Sequence, residues 1–178
     1  MKIGTKSLLF GGHQFILHPI HVFIAWWIAY GFPKDPRLWI AFVVHDWGYW
    51  GKDNIDGEEG ETHPELGGKI MHWLFDKKNE TKWYNFTRFH SRSYALLHGG
   101  TISKLCIADK LAFCIPSKWL YLFFTSLTGE IKEYMTTSRA KFGKDPYTNK
   151  SEWYDRVYDY MLLWAKTNKD KADVSNNI

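Results

Sequence analysis

Apolar residues recur along this chain at the spacing of buried helices, and signals for helix starts precede several of these runs. Asp35-Pro36 is one such start, because aspartate caps a helix and proline fits its first turn. An apolar run follows at residues 38–44, of which residues 39–44 are also the best strand candidate in the chain. We interpret the run as a buried helix that carries His45-Asp46 near its end.

A second start lies at Thr62, three residues before Glu65, which is the spacing of a capping box. The apolar residues after it fall on one helical face: Leu66, Ile70, Trp73 and Leu74. This pattern predicts a helix with His63 in its first turn.

Three later segments also have helical periodicity. Residues 103–113 place four side chains on one face: Leu105, Ala108, Asp109 and Ala112. Asp109 would therefore project inward beside small residues that leave room for an ion. Residues 128–142 and 151–166 are amphipathic, the second through Tyr154, Val157, Tyr158, Met161 and Ala165, and we expect both to pack over the core and to wall the site.

These segments predict an all-α fold, a compact helical bundle. A chain of 178 residues with 45% hydrophobic residues is long enough for one domain with a substantial core, which we assign to residues 1–168. Residues 169–178 are polar and are predicted to be a disordered tail.

The stretch from Gly11 to Pro33 contains no Lys, Arg, Asp or Glu. A helix that crosses a bilayer needs about 20 predominantly apolar residues. Several histidines and Pro19 interrupt this stretch, so we expect a buried helix of a globular protein and no membrane span.

Charge and cysteine content narrow the class of protein further. The net charge of +4 is spread over scattered lysines and arginines, so no stable nucleic-acid complex is expected, and a small anionic substrate suits the charge equally well. Cys106 and Cys114 have no paired spacing and are predicted to be buried free thiols in a reducing compartment. The sequence carries no cleavable secretory signal, and we expect a cytoplasmic protein.

Six side chains that commonly bind metals occur in order along the chain: His18, His45, Asp46, His63, His90 and Asp109. Imidazole nitrogens and carboxylate oxygens are ligands for divalent first-row metals, and an adjacent His-Asp pair can offer two different donors to one ion. A metal held by such a set is expected at the centre of the fold. His21, one helical turn after His18, competes with it for this role, and His98 is a possible further donor.

The segments around these residues resemble the HD-domain superfamily of metal-dependent phosphohydrolases. The resemblance covers about His18 to Phe113, through VVHDWGYWGK, ETHPELGGKIM, TRFHSRSYA and LCIADKLAF. It implies an HD-domain-like helical bundle around a buried metal site. Members with the additional histidines tend to bind two metals, so the resemblance favours two divalent transition ions (Mn, Fe, Co, Ni or Zn), with His63 and His90 serving the second ion and Asp46 bridging.

Residues for substrate contact are also suggested. The family often has a lysine three positions after the aspartate, but here that position is Tyr49 and the next lysine is Lys52. Lys52 remains a candidate phosphate contact. Arg92 is a better one, because a guanidinium matches phosphate oxygens, and Lys110 is a third. Asp46, Lys52 and Arg92 are therefore the predicted catalytic residues.

We expect a metal-dependent hydrolase of a phosphate ester, with a nucleotide or another small phosphorylated compound as substrate and a metal-activated water as nucleophile. Two alternatives stay open. One is a di-iron oxygenase of the HD type, and the other is a non-catalytic nucleotide-binding module that the metal stabilises. The aromatic residues could stack on a nucleobase, but we expect most of them in the core.

Overall fold

The structure, a computed structural model, describes residues 1–142 and 149–172. All regular elements in these residues are helical, which confirms the predicted all-α fold. The described α-helices are α1 (Ile3–Phe10), α2 (Leu17–Tyr30), α3 (Pro36–Val44), α4 (Pro64–Phe75), α5 (Lys82–Arg88), α6 (Arg92–Leu97), α7 (Lys104–Ala112), α8 (Lys118–Thr128), α9 (Glu130–Phe142) and α10 (Lys150–Asn168).

The start of α3 agrees with the sequence prediction. The side chain of Asp35 accepts a hydrogen bond of 2.9 Å from the backbone N–H of Arg37, and Pro36 occupies the first turn. The strand candidate at residues 39–44 is part of this helix. The buried face of α3 ends at Val44. His45 and Asp46 follow directly and are therefore also in the core.

Two large apolar clusters form most of the interior. The first joins α2, α3, α4, α5 and α7 through residues that include Val22, Trp26, Phe42, Met71, Phe86 and Leu105. The second joins α1, α8, α9 and α10 through residues that include Leu8, Leu122, Ile131, Trp153 and Val157. A large cavity takes lining residues from both clusters, among them Ala112 and Trp153, and therefore lies between them.

The uncharged stretch forms α2, as predicted. Val22, Ala25 and Trp26 are buried on one side of this helix, and His18 lies in its first turn. No helix in the described residues has the length and apolar content that a membrane crossing requires.

The start of α4 corrects the capping-box prediction. The helix begins at Pro64, and His63 precedes it without a side-chain cap. The hydroxyl of Thr62 donates instead to the carbonyl of Glu59, at 2.8 Å, in a short 3₁₀ turn that precedes the helix.

The predicted apolar face of α4 is not the buried one. Leu66, Leu74 and Trp73 are exposed, and Trp73 is 81% exposed. The buried positions are Pro64, Gly67, Gly68 and Met71. A Cβ on Gly67 would lie 2.7 Å from the carbonyl oxygen of Val44, so the absence of a side chain lets α4 approach the end of α3.

The C-terminal helices match their predicted amphipathic character, with α9 starting two residues later than expected. The predicted disordered tail, however, begins with ordered residues. A 3₁₀ turn spans Lys169–Lys171, and Ala172 is buried against Ile107 and Ala165. The remainder of that prediction, residues 173–178, lies outside the described residues.

Candidate metal centre

The structure brings all six predicted ligands together. His18 lies on α2 and Asp109 on α7, while the other four follow or precede helices: His45 and Asp46 after α3, His63 before α4, and His90 after α5. Each is at most 9% exposed. Helix ends and inward faces thus deliver the donors to one buried point, as the sequence predicted.

One group of donors comprises His18, His45, Asp46 and Asp109, whose ligand atoms lie within 4.8 Å of one another. Nε2 of His18 is 3.2 Å from Oδ2 of Asp46 and 3.1 Å from Oδ1 of Asp109. It is also 3.2 Å from Nε2 of His45. The donor atoms of these four side chains therefore converge on a common centre.

A second group comprises Asp46, His63 and His90. Oδ1 of Asp46 is 3.5 Å from Nε2 of His63 and 3.2 Å from Nε2 of His90. Asp46 belongs to both groups, with Oδ2 directed to the first and Oδ1 to the second. One carboxylate could therefore bridge two ions.

Backbone contacts fix the orientation of three of the imidazoles. Nδ1 of His45, His63 and His90 lies 3.0, 2.7 and 2.7 Å, respectively, from the carbonyl oxygen three residues earlier in the chain. A carbonyl oxygen only accepts, so each Nδ1 carries the hydrogen and donates it. Each Nε2 is then the nitrogen directed inward, and it binds a metal when it carries no proton.

This arrangement fits a cation. Nε2 of His63 and Nε2 of His90 face each other at 3.0 Å, and two lone pairs at that distance repel unless a proton or a metal lies between them. Oδ2 of Asp46 is buried and makes no hydrogen bond, although two histidines are close to it. Two donors bound to one ion at about 2.1 Å are themselves about 3.0 to 3.4 Å apart, and most of the donor pairs described above have this spacing. The buried His/Asp groups can bind a metal.

Because these donors lie close together, several of their pKa values are shifted in the metal-free protein. Burial opposes ionisation of Asp46, yet the neighbouring His45 and His18 hold the pKa of this carboxyl well below its ordinary value. Burial also opposes a charge on His45, but Asp46 and Asp109 raise its pKa to about 10. Burial and the nearby His90 lower the pKa of His63, which is therefore neutral.

The centre opens into a cavity of about 580 Å³. Five of the six ligands line it: His18, Asp46, His63, His90 and Asp109. Much of the remaining lining is aromatic and apolar, with residues of α10 and its neighbours that include Tyr121, Tyr134, Trp153, Tyr160, Met161 and Trp164. The cavity thus combines a polar end with an apolar body, as sites for small organic molecules commonly do.

Arg92, a predicted substrate contact, lines this cavity. One guanidinium nitrogen donates to the hydroxyl of Tyr160 at 2.9 Å, and the guanidinium carbon lies 4.8 Å from the ring centre of Trp164. These contacts hold the cation at the cavity wall, where its remaining donors can meet an anion.

Lys52, also a predicted substrate contact, lies outside this cavity. Its ammonium group donates to the hydroxyl of Thr62 at 2.7 Å on the outer surface. Tyr49, three residues after Asp46, stacks on the imidazole of His63 with the ring centres 3.9 Å apart and so supports this ligand.

The competing histidines are not in either group of donors. His21 lines the cavity, but His18 is the donor of α2. His98 is exposed, and its Nδ1 donates to the carbonyl of Tyr94 at 2.9 Å. Cys106 and Cys114 are free thiols, as predicted, and neither lies in a donor group. Cys106 is buried, but Cys114 is only half-buried, which corrects the expectation that both are buried.

Lys110, the third candidate phosphate contact in the sequence, pairs with one of the metal ligands. Its ammonium group lies 2.8 Å from Oδ2 of Asp109, on the side of the carboxylate away from Oδ1. Burial works against the charge of Asp109, but Lys110 lowers the pKa of that carboxyl well below its ordinary value. The flexible lysine side chain turns back toward its neighbour, although adjacent helical positions point about 100° apart.

We expect Lys110→Met to weaken metal binding by about tenfold, because the loss of a partner that orients a ligand typically costs 10- to 100-fold. Lys104→Met is the matched control, since Lys104 lies on the same helix outside the cavity, with its ammonium over the ring of Tyr30. Competition with a chelating dye measures both affinities. Equal affinities for the two variants would show that the ion pair does not orient Asp109.

Comparisons of this chain with protein-family models, with curated proteins and with solved structures find no match.

Proposed function

We propose that this protein is a metal-dependent phosphohydrolase of the HD type, with two divalent transition metals and a small phosphorylated substrate. The observation that carries the proposal is the pair of donor groups that share Asp46. Two ions held in this way would be close together, and such ions lower the pKa of a bound water and offset the charge of a phosphoryl group.

The rest of the cavity supports a phosphate ester as the substrate class. Arg92 and Lys110 both line the cavity and bring positive charge to it. Arg92 is the better phosphate contact, because Lys110 is already paired with Asp109 at 2.8 Å. The aromatic wall on which Arg92 packs suits the organic part of the ester, and a nucleobase would pack well against such rings.

The experiment is a phosphate-release assay on protein loaded separately with Mn, Fe, Co, Ni and Zn. The substrates are a generic phosphomonoester, a generic phosphodiester and a panel of nucleotides. Wild-type protein is expected to release phosphate or a nucleotide product with at least one metal, with equal rates in air and under anaerobic conditions. Turnover that requires oxygen would contradict the proposal and would favour an oxygenase.

Arg92→Met provides a matched test of substrate contact. We expect its KM to rise by about tenfold or more, because a hydrogen bond to a charged group contributes about 1.5 to 3 kcal/mol. Arg156→Met is the control, since Arg156 pairs with Glu152 on the exposed side of α10. An unchanged KM in Arg92→Met would remove Arg92 from the substrate site.

A further inference from the structure

A further buried carboxylate lies outside both donor groups. Glu130, the first residue of α9, is completely buried. Oε1 accepts hydrogen bonds from the hydroxyl of Thr128 at 2.5 Å and from the backbone N–H of Gly12 at 3.1 Å. Oε2 accepts from the hydroxyls of Ser7 at 2.9 Å and Tyr134 at 2.8 Å.

The chain makes room for this carboxylate at Gly11. A Cβ at that position would lie 1.6 Å from Oε1 of Glu130, so only glycine permits the approach. Glu130 thus joins α1, the segment after it and α9 at one point. Gly12, which donates to this carboxylate, is followed by His13, and His13 lines the cavity.

The contacts of Glu130 determine which nitrogen of His13 carries the hydrogen. Ser7 and Tyr134 both give their hydroxyl hydrogens to Glu130, so their oxygens can only accept from a third group. Nδ1 of His13 lies 2.9 Å from the oxygen of Ser7 and 3.4 Å from that of Tyr134. Nδ1 is therefore the donor, and Nε2 is left with its lone pair.

His13 lies beside the donor groups without belonging to them. Its ring centre is 5.4 Å from that of His18 and 4.8 Å from that of Tyr49. A neutral nitrogen that only accepts repels a phosphoryl oxygen, which also only accepts, but it binds a group that donates, such as water. The ring of His13 therefore lies next to the ligand end of the cavity.

We propose that His13 is a further catalytic residue, whose Nε2 accepts a hydrogen bond from the attacking water and orients it, and that Glu130, Ser7 and Tyr134 are its positioning residues. This inference rests on the proposed phosphohydrolase function. In that reaction the water oxygen bonds to phosphorus as the bond to the alcohol oxygen breaks, and the alcohol leaves with a hydrogen that water supplied.

Two substitutions of His13 separate its two nitrogens. Asparagine has its amide near the position of Nδ1 and keeps the contact with Ser7, whereas glutamine reaches the position of Nε2. We expect kcat to fall by about 100-fold in His13→Asn, since misplacement of a reacting group by 1 Å can cost that much. KM and metal content should match the wild type, and His13→Gln should recover a substantial part of kcat.

A spectroscopic measurement tests the positioning residues without turnover. The ¹⁵N spectrum of zinc-loaded protein should show His13 with hydrogen on Nδ1 and none on Nε2. Ser7→Ala should move the population toward hydrogen on Nε2, because it removes the nearer acceptor. Ser126→Ala, a serine that contacts Lys150 at the surface, should leave the spectrum unchanged.

The outcomes are distinct. A wild type that hydrolyses no phosphoester overturns the proposed function and this inference together. A wild type that is active while His13→Asn keeps its kcat, or loses its metals, overturns the catalytic role of His13 alone. Hydrogen on Nε2 in the wild type overturns the proposed orientation and leaves the phosphohydrolase function standing.

Discussion

Replacement of Asp46 with Asn is expected to abolish the binding of both metals and, with it, hydrolysis. Oδ2 of Asp46 lies 3.2 Å from His18 Nε2, and Oδ1 lies 3.2 Å from His90 Nε2, so the change affects both donor groups. Loss of a residue that only orients a ligand costs 10- to 100-fold in metal affinity, so loss of a bridging ligand should cost more than about 100-fold. Metal titration and phosphate release measure the two effects.

Asp155→Asn is the control for this substitution. It removes the same charge from an exposed carboxylate of α10 that pairs with Lys118, outside the cavity. We expect wild-type metal binding in this variant. Wild-type metal content in Asp46→Asn would contradict the bridging role of Asp46. It would mean that the two donor groups bind metal independently of this carboxylate.

Metal binding is expected to release at least one proton per chain at pH 7.5. The pKa of His45 in the metal-free protein is raised to about 10, since Asp46 and Asp109 outweigh the opposing effect of burial. His45 is therefore protonated at pH 7.5, and it must be neutral to bind a metal. Below about pH 10, each proton released should make the apparent affinity for the metal rise about tenfold per unit of pH.

The same pKa shift determines how the stability of the metal-free protein depends on pH. The pKa of His45 is higher in the folded chain than its ordinary value of 6.5. The stabilisation from its charged form is complete below pH 6.5 and is lost as the pH rises toward about 10. The melting temperature of the metal-free protein should fall across this interval, while that of the metal-loaded protein should change less.

Calorimetric titration in two buffers with different heats of protonation gives the number of protons released. His72→Ala should release the same number as the wild type, because His72 is exposed and pairs with Asp76 away from the centre. Release of no protons would show that His45 is already neutral before the metal binds, which would contradict the electrostatic description of the site.

The donor set could be predicted from the sequence because ligand chemistry depends on residue type. Helix periodicity then supplied part of the geometry: Asp109 was expected on the inward face of its helix beside Ala108 and Ala112, and it is buried there. The convergence of His63 and His90 on Asp46 depends on tertiary packing, and the expectation for these residues came from the family resemblance.

Other features had no local signal. The buried face of α4 is formed partly by Gly67 and Gly68. Glycine has no apolar side chain, so the hydrophobic pattern did not indicate this face. Lys52 was predicted from its proximity in sequence to Asp46, but a 3₁₀ turn after Asp46 leads the chain away to the surface. Glu130 is separated from Gly12 by 118 positions, and no motif relates the two.

Metal content after reconstitution and removal of excess ions tests the central claim most directly. Elemental analysis of the wild type should give about two ions per chain, since two donor groups share Asp46. His63→Ala combined with His90→Ala should give about one, and the control with both His72→Ala and His98→Ala should give two. A wild type that retains no metal would contradict the account.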